Sequence, residues 1–352
     1  MALTLRRRCA RGTAGRRTFA VALGFTAALG AAVASAAPAG AHGLGGPEPT
    51  DEVVTVAGIR PVTPGIAVRA IDLGSRIELT NRTDATVVVL GYEGEPYLRI
   101  DRRGVWENGR SPATALNRSD TPTGTVPARL DAAARPEWAR VSSTPTARWH
   151  DHRAHWMGRG PVEDEPWEIP VRIDGSAARV AGTLDSRPAP SPLPWLGLAT
   201  GIALALALLA GLRRWPTVLA VGLVVVIASE TLHTIGAWAV SSSGTGPRIL
   251  GAAPSIVAVL LAVLALARLL DRRRTPDAAT PLILVAGLFI AIAGGIADLG
   301  SLTHAVVPSD LDPTVVRCTI AVALGGGVGL AVGAARHLRP VSVAAAPAAV
   351  GG

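Results

Sequence analysis

The last third of the chain holds five apolar segments, at about 193–212, 216–240, 249–270, 281–304 and 315–335. Each meets the roughly 20 residues a helix needs to cross the hydrocarbon core of a bilayer. Lipid offers a backbone amide no partner, so these segments must be helices that close their hydrogen bonds internally. Nothing else in the sequence narrows the possible folds as much.

Arginine punctuates the segments. Arg213 and Arg214 follow the first, Arg272, Arg273 and Arg274 follow the third, and Arg336 and Arg339 follow the fifth. The intervening loops, 241–248 and 305–313, carry one arginine and none. The positive-inside rule places the basic loops and the C-terminus in the cytoplasm, and the residues before the first segment outside. Trp195, Trp215 and Trp238 stand near segment ends, where interfacial aromatics belong. The formal net charge of +8 is therefore a topology signal. The expected partner is the bilayer of a cell membrane, not nucleic acid.

Residues 1–41 read as a signal peptide, with an arginine-rich start and an apolar run from Phe19 to Ala34. Two small-residue patterns then offer cleavage, Ala34-Ser35-Ala36 and Ala39-Gly40-Ala41; only the second makes His42 the mature N-terminus. Arg16-Arg17 fits either a twin-arginine signal or an ordinary basic start. Cys9 lies in the signal and Cys318 in the last apolar segment, so no disulfide is expected in an exported domain.

Between these parts the pattern changes to short β-type runs. Residues 66–70 and 76–80 alternate apolar and polar side chains, which gives each strand one buried face. Residues 86–90 form a continuous β-branched run suited to a central strand covered on both faces. Asp174-Gly175, flanked by 171–173 and 178–180, signals a hairpin, because both residues tolerate positive φ. Residues 108–138, rich in Pro, Thr, Asn and Arg, read as long loops, and 187–194 as a stiff proline-rich linker.

The expected fold class is β plus membrane α: an exported immunoglobulin-like β-sandwich (42–186) followed by a five-helix transmembrane bundle (195–336) and a cytoplasmic tail (337–352).

The candidate chemistry lies in the histidines. His150, His152 and His155 fall within six residues, in Trp149-His150-Asp151-His152-Arg153-Ala154-His155-Trp156. A strand through this run puts His150 and His152 on one face, with Asp151 opposite; a turn after Asp151 brings His152 toward His155. A mature His42 adds an imidazole and an α-amine. The candidate metal ligands here are His42, His150, Asp151, His152 and His155; few-ligand, nitrogen-rich sites favour copper, with zinc as runner-up. The competing reading is a polar loop whose imidazoles hydrogen-bond carboxylates such as Glu163, Asp164 and Glu165, or respond to pH.

Within the apolar segments, Glu230 and His233 share a helix face, Asp298, Ser301 and His304 recur at three-residue spacing, and Arg317 opens the last segment. Ionisable groups at such depth are costly and commonly functional. They serve either to relay metal through Glu230, His233, Asp298 and His304, or to fix packing by pairing Arg317 with Glu230 or Asp298. The loop 91–97, with Tyr92 and Tyr97, is read as a turn whose tyrosines cap the β-domain, against a recognition edge. No nucleophile elbow, P-loop, paired-cysteine motif or dinucleotide fingerprint is present, and no enzyme activity is expected.

The 91–97 and 149–156 signatures, ahead of several spans, resemble uncharacterised actinobacterial membrane proteins with a secreted β-type ectodomain. The plan is also distantly similar to fused CopC/CopD copper-handling proteins. In that resemblance His42 matches a terminal copper ligand, and the residues around His150 stand in for the others. The exported domain is longer than a CopC module, the spans are fewer, and the His-x-His element does not align. The function this implies is capture of copper as an accessory to metal uptake or homeostasis. The alternative is a metal-free envelope scaffold that docks a protein partner.

Overall fold

The computed structural model describes residues 47–118, 127–158, 160–242 and 244–338. The signal peptide, His42, Arg339 and most of the expected cytoplasmic tail lie outside these residues.

Among the described residues, ten strands form two antiparallel sheets. The larger has the order β1 (Glu52–Arg60), β10 (Ser176–Ser186), β9 (Glu165–Ile173), β4 (Val87–Leu90), β5 (Pro96–Asp101), β6 (Gly104–Asn108) and β7 (Trp138–Ser142). The smaller has the order β2 (Ile66–Ile71), β3 (Arg76–Asn81) and β8 (Thr146–Trp149). Their inner faces share one core: Ile77, Leu79 and Trp149 from the small sheet meet Val89, Ile100, Trp167, Ile169 and Val180 from the large one.

Alternation decides which residues point inward. In β9, Trp167, Ile169 and Val171 are buried, while Glu168, Pro170 and Arg172 are exposed. The β9–β10 hairpin turns on Asp174 (φ 48°) and Gly175 (φ 82°), the left-handed pair that a two-residue loop requires. Gly182 is needed for a different reason: a β-carbon there would collide with the Trp167 indole and the Thr55 carbonyl.

Two β-domain expectations change. β4 is central but covered on one face only, since Val87 and Val89 are buried while Val88 and Leu90 are half-buried. Val88 pairs in register with Arg99 and Arg172, whose aliphatic stems suit an outer face. The 108–138 region also contains a short helix, α1 (Ala113–Leu116).

Among the described residues, four helical segments are long and apolar enough to cross a membrane: α3 (Trp215–Val240), α4 (Thr245–Leu270), Pro276–Ile296 with α5 (Thr280–Ile290) at its centre, and α6 (Pro313–Ala335). A fifth apolar helix, α2 (Leu193–Leu209), has 17 residues. The Pro276–Ile296 segment ends earlier than its hydropathy implies. It passes through a π-helical turn at Ala291–Ile296 and stops, so Asp298 caps a 3₁₀ turn at Leu299–Leu302 beyond it, with Ser301 on that turn and His304 after it.

Glycine makes α6 the hub of the bundle. Gly325, Gly329 and Gly333 recur every four residues and face α2, and a β-carbon on Gly325 would overlap the Ala199 carbonyl oxygen. Gly327 meets Gly287 of α5, and Gly326 meets Val226 of α3. In lipid, where apolar surface alone does not drive helices together, small residues let backbones approach and gain dispersion contacts.

The sheets sit on one end of this bundle. Thr50 forms a two-way backbone bridge with Val306 (3.1 and 2.8 Å), and Asp51 Oδ1 accepts from Ala305 N (2.7 Å). Asp72 accepts from Ser242 N (3.1 Å), and Arg148 donates to Ser242 O (3.2 Å). Both loops on this end, α3–α4 and α5–α6, are therefore tied to the β-domain.

Gly325→Val is expected to force α2 away from α6 at a cost of about 1–3 kcal/mol. Gly201→Ala on α2, where nothing lies within 4 Å of an added β-carbon, loses no stability and gains up to about 1 kcal/mol from helix propensity. Thermal unfolding of the detergent-solubilised chain distinguishes the two.

Candidate functional site

The imidazole cluster forms where β8 ends. Trp149 is the last strand residue, Asp151 caps a single 3₁₀ turn at His152–Ala154, and the chain becomes extended again at His155. This turn brings all three imidazoles together. The His150 and His152 ring centroids lie 4.7 Å apart, edge to face, and the His150 and His155 centroids 5.5 Å apart.

Asp151 organises the turn from beneath. Its Oδ1 accepts from Arg153 N (3.1 Å) and Arg153 Nε (2.8 Å), and its Oδ2 accepts from Trp149 Nε1 (3.0 Å) and Arg153 Nη2 (2.9 Å). Arg153 then donates onward to Leu90 O (3.0 Å) and stacks over the Tyr92 ring at 4.8 Å. Burial works against the guanidinium charge, but the Asp151 hydrogen bonds and charge outweigh it and raise its proton affinity. Asp151 thus faces its strut, with both oxygens committed there.

The 91–97 turn braces the other side. Buried Glu95 accepts from Ser111 Oγ (2.6 Å) and Glu93 N (3.0 Å), which closes the turn on itself. Tyr92 donates its hydroxyl proton to Asn117 Oδ1 in a short hydrogen bond, and its oxygen accepts from His152 N (3.0 Å). Burial first, then the Asp151 charge, pushes the Tyr92 phenol well above its ordinary range, so it stays neutral and donates.

The ring nitrogens carry the chemistry. His150 Nδ1 lies 2.6 Å from Ser75 O, and His152 Nε2 lies 3.0 Å from Leu116 O. A carbonyl oxygen only accepts, so both outward nitrogens carry protons. In neutral rings the inward nitrogens, His150 Nε2 and His152 Nδ1, then present lone pairs to each other, and they are 3.4 Å apart. Two ligand atoms at about 2.0–2.1 Å from a tetrahedral metal are separated by about 3.4 Å. An outward N–H held by a carbonyl is also the arrangement that fixes the tautomer of a metal-binding histidine.

The sequence placed the histidines near one another, but their partners lie far along the chain. Ser75 and Leu116 carry no side-chain signal for the role, because each contributes its backbone carbonyl. The hydrogen-bonded reading named Glu163, Asp164 and Glu165; the contacts found are carbonyls for His150 and His152, and Glu52 Oε2 for His155 Nδ1 at 3.8 Å. Burial raises the proton affinity of Glu52. Trp149 is buried and Trp156 half-buried on either side, as a shielded cluster needs. Among the described residues, no group of three or more His, Cys, Asp or Glu side chains is arranged to hold a metal ion.

The bundle residues sit elsewhere. His233 Nε2 lies 3.3 Å from Asp298 Oδ2, and Glu230 is buried against Gly294. His304 Nδ1 turns back to Gly300 O (2.9 Å). Arg317 engages backbone rather than a carboxylate, donating to Ser301 O (3.0 Å), His304 O (2.8 Å) and Ala305 O (3.3 Å). The end of the Leu299–Leu302 turn exposes carbonyls that the guanidinium fork reaches directly.

No protein-family model, curated protein or solved structure matches the chain.

Beside the cluster, Glu78 of β3 binds Arg69 and Arg148, each at 2.7 Å. Burial opposes its ionisation, but the two arginines outweigh this and hold the carboxyl below its usual range. A depressed carboxyl stabilises the fold above its unfolded value and loses that contribution as pH falls through the folded value. Glu78→Gln is expected to cost about 1–2 kcal/mol at neutral pH, since both arginines are substantially exposed. The gap to wild type should close in acid, as read by thermal unfolding at the two pH values.

Proposed function

We propose that this is a membrane-anchored receptor that captures a transition-metal ion, copper first and zinc second, at the His150–His152 pair, as an accessory to metal uptake or homeostasis. One observation carries the reading: the two inward nitrogens face each other at 3.4 Å while both outward nitrogens are held as donors. Opposed lone pairs favour a cation between them, and the 3.4 Å separation is long for a shared proton and close to that of two nitrogens on a tetrahedral metal. His155 supplies a third imidazole nearby; His42 lies outside the described residues. The metal assignment is confined to this cluster; Glu230, His233, Asp298 and His304 are given no metal.

The paired antiparallel sheets support the immunoglobulin-like label in its loose sense. Contacts at the two ends of the bundle support a reading with five crossings. α2 leaves the β-domain at one end, and its far end meets the last turn of α6, where His337 Nε2 lies 2.8 Å from Ala210 O. The helix therefore lies along the part of α6 that carries Gly325, Gly329 and Gly333, and at about 26 Å it nearly matches a ~30 Å hydrocarbon core. With the arginine-rich loops cytoplasmic, the β-domain and the imidazoles face outward.

A second reading, an envelope scaffold docking a protein partner, is favoured by the outer face of the large sheet. There Arg99 stacks over Trp106 (4.4 Å) and Trp138 (5.2 Å), and Arg140 lies 5.8 Å from Trp106. Arginine and tryptophan are enriched among residues that anchor interfaces.

Calorimetry of the full chain in detergent is expected to show about one Cu(II) or Zn(II) bound. At 100 times Kd the ion adds about 2.7 kcal/mol of stability. The His150→Ala/His152→Ala variant should lose both effects, so that its melting temperature, lowered by the carbonyl hydrogen bonds it gives up, no longer depends on the ion. Absence of binding heat, or unchanged binding in the variant, refutes the metal reading and leaves the scaffold.

A further inference from the structure

A second constellation lies in the bundle and has no part in the imidazole cluster. Glu230 is 2 % exposed, and its Oε1 has no hydrogen-bond partner among the described residues. Ser255 of α4 lies within hydrogen-bonding reach of the carboxyl group. The carboxyl rests flat on Gly294, where a β-carbon would collide with both its oxygens. Gly294 belongs to the π-helical turn of the fourth crossing, an irregularity that recurs at functional sites in otherwise α-helical segments.

One turn further along α3, His233 bridges two other elements. Its Nδ1 lies 3.1 Å from Thr319 Oγ1 on α6. Thr319 gives its own hydroxyl proton to Val316 O (2.7 Å), so it accepts from the imidazole and Nδ1 is protonated. Nε2 faces Asp298 Oδ2 at 3.3 Å, across which a second proton can be shared. Exposure falls inward: the side chain is 29 % exposed at Asp298 and 12 % at His233, and Glu230 is shut off from solvent.

The other charged groups nearby are committed. Arg317 of α6 binds the carbonyls of Ser301, His304 and Ala305, and His304 turns to Gly300 O. Arg248, near the start of α4, donates to Ser241 O. α2 carries no ionisable residue. The charge of the site is therefore set by two carboxyl groups and one imidazole.

We propose that Glu230, His233 and Asp298 form a proton-binding site of the membrane domain, reached from the sheet-side loops at Asp298, with Glu230 as the inner proton acceptor. Two carboxylates and one imidazolium leave a net negative charge in an apolar bundle, which is costly. One further proton on Glu230 removes it, and a neutral carboxyl tolerates the absence of a donor at Oε1 better than a carboxylate does. A role in packing alone gives no reason for a carboxyl group here rather than an amide of the same shape.

The test is pH-difference infrared spectroscopy on the full chain in lipid vesicles, with a chelator present so that metal at the imidazole cluster plays no part. Wild type is expected to show a protonated-carboxyl C=O band that titrates with pH, and Glu230→Gln to lose it. Asp298→Asn, altered at the more exposed position, should keep the band but displace its titration by about one pH unit, a tenfold change in proton affinity. A band that persists in Glu230→Gln overturns the assignment. So does a titration unmoved in Asp298→Asn, which decides the matter if the glutamine variant does not fold. Neither result bears on metal capture, which is read separately by calorimetry.

Discussion

The Asp151–Arg153 pair holds the cluster in place, and the surrounding loops are built around it. The Asp151 side chain is fully buried, so its charge needs every donor that it receives. Arg153 and the Trp149 indole supply them from within two residues, which forces the chain to turn sharply after β8. That turn stands His150 and His152 edge to face. The same arginine reaches the Leu90 carbonyl and the Tyr92 ring, so the 91–97 turn and the imidazoles are positioned by one guanidinium. Removing one member of a buried pair leaves the other uncompensated, a loss of about 3–5 kcal/mol. A single charge pair thus links strand end, turn and candidate ligands.

A comparable economy joins the β-domain to the bundle. Arg317 collects the carbonyls that the Leu299–Leu302 turn cannot satisfy, and Ala305, one of its partners, is also bound through its amide to Asp51. Thr50 and Val306 continue the contact as a backbone bridge. The loop that leads from the Pro276–Ile296 segment into α6 is therefore held from below by a guanidinium and from above by the residues just before β1. This loop also carries Asp298.

Much of the architecture was legible because its signals are local. A segment read as 216–240 is the helix Trp215–Val240, and the Asp174-Gly175 dipeptide makes the hairpin that its tolerance of positive φ implies. The Pro276–Ile296 segment shows where locality fails. Leu299 and Leu302 keep the hydropathy high to residue 304, yet the helix ends at Ile296 through a π turn over Gly294 and Gly295. The glycines of α6 were equally silent, since hydropathy does not register a stripe whose value lies in close approach. Proximity of His150, His152 and His155 could be expected from their spacing. The direction in which each ring nitrogen points could not, because Ser75 and Leu116 act through backbone carbonyls 75 and 36 residues away. Arg317 was misread for the same reason: a carboxylate partner is visible in a sequence, and a frayed turn's carbonyls are not.

The central claim is that two imidazoles share one metal ion through Nε2 of His150 and Nδ1 of His152. Electron paramagnetic resonance of the full chain loaded with one equivalent of Cu(II) tests it most directly. The expected spectrum carries hyperfine structure from at least two imidazole nitrogens, reduced by one nitrogen in His150→Ala. A spectrum of oxygen-ligated copper, or one unchanged by that substitution, would contradict the account.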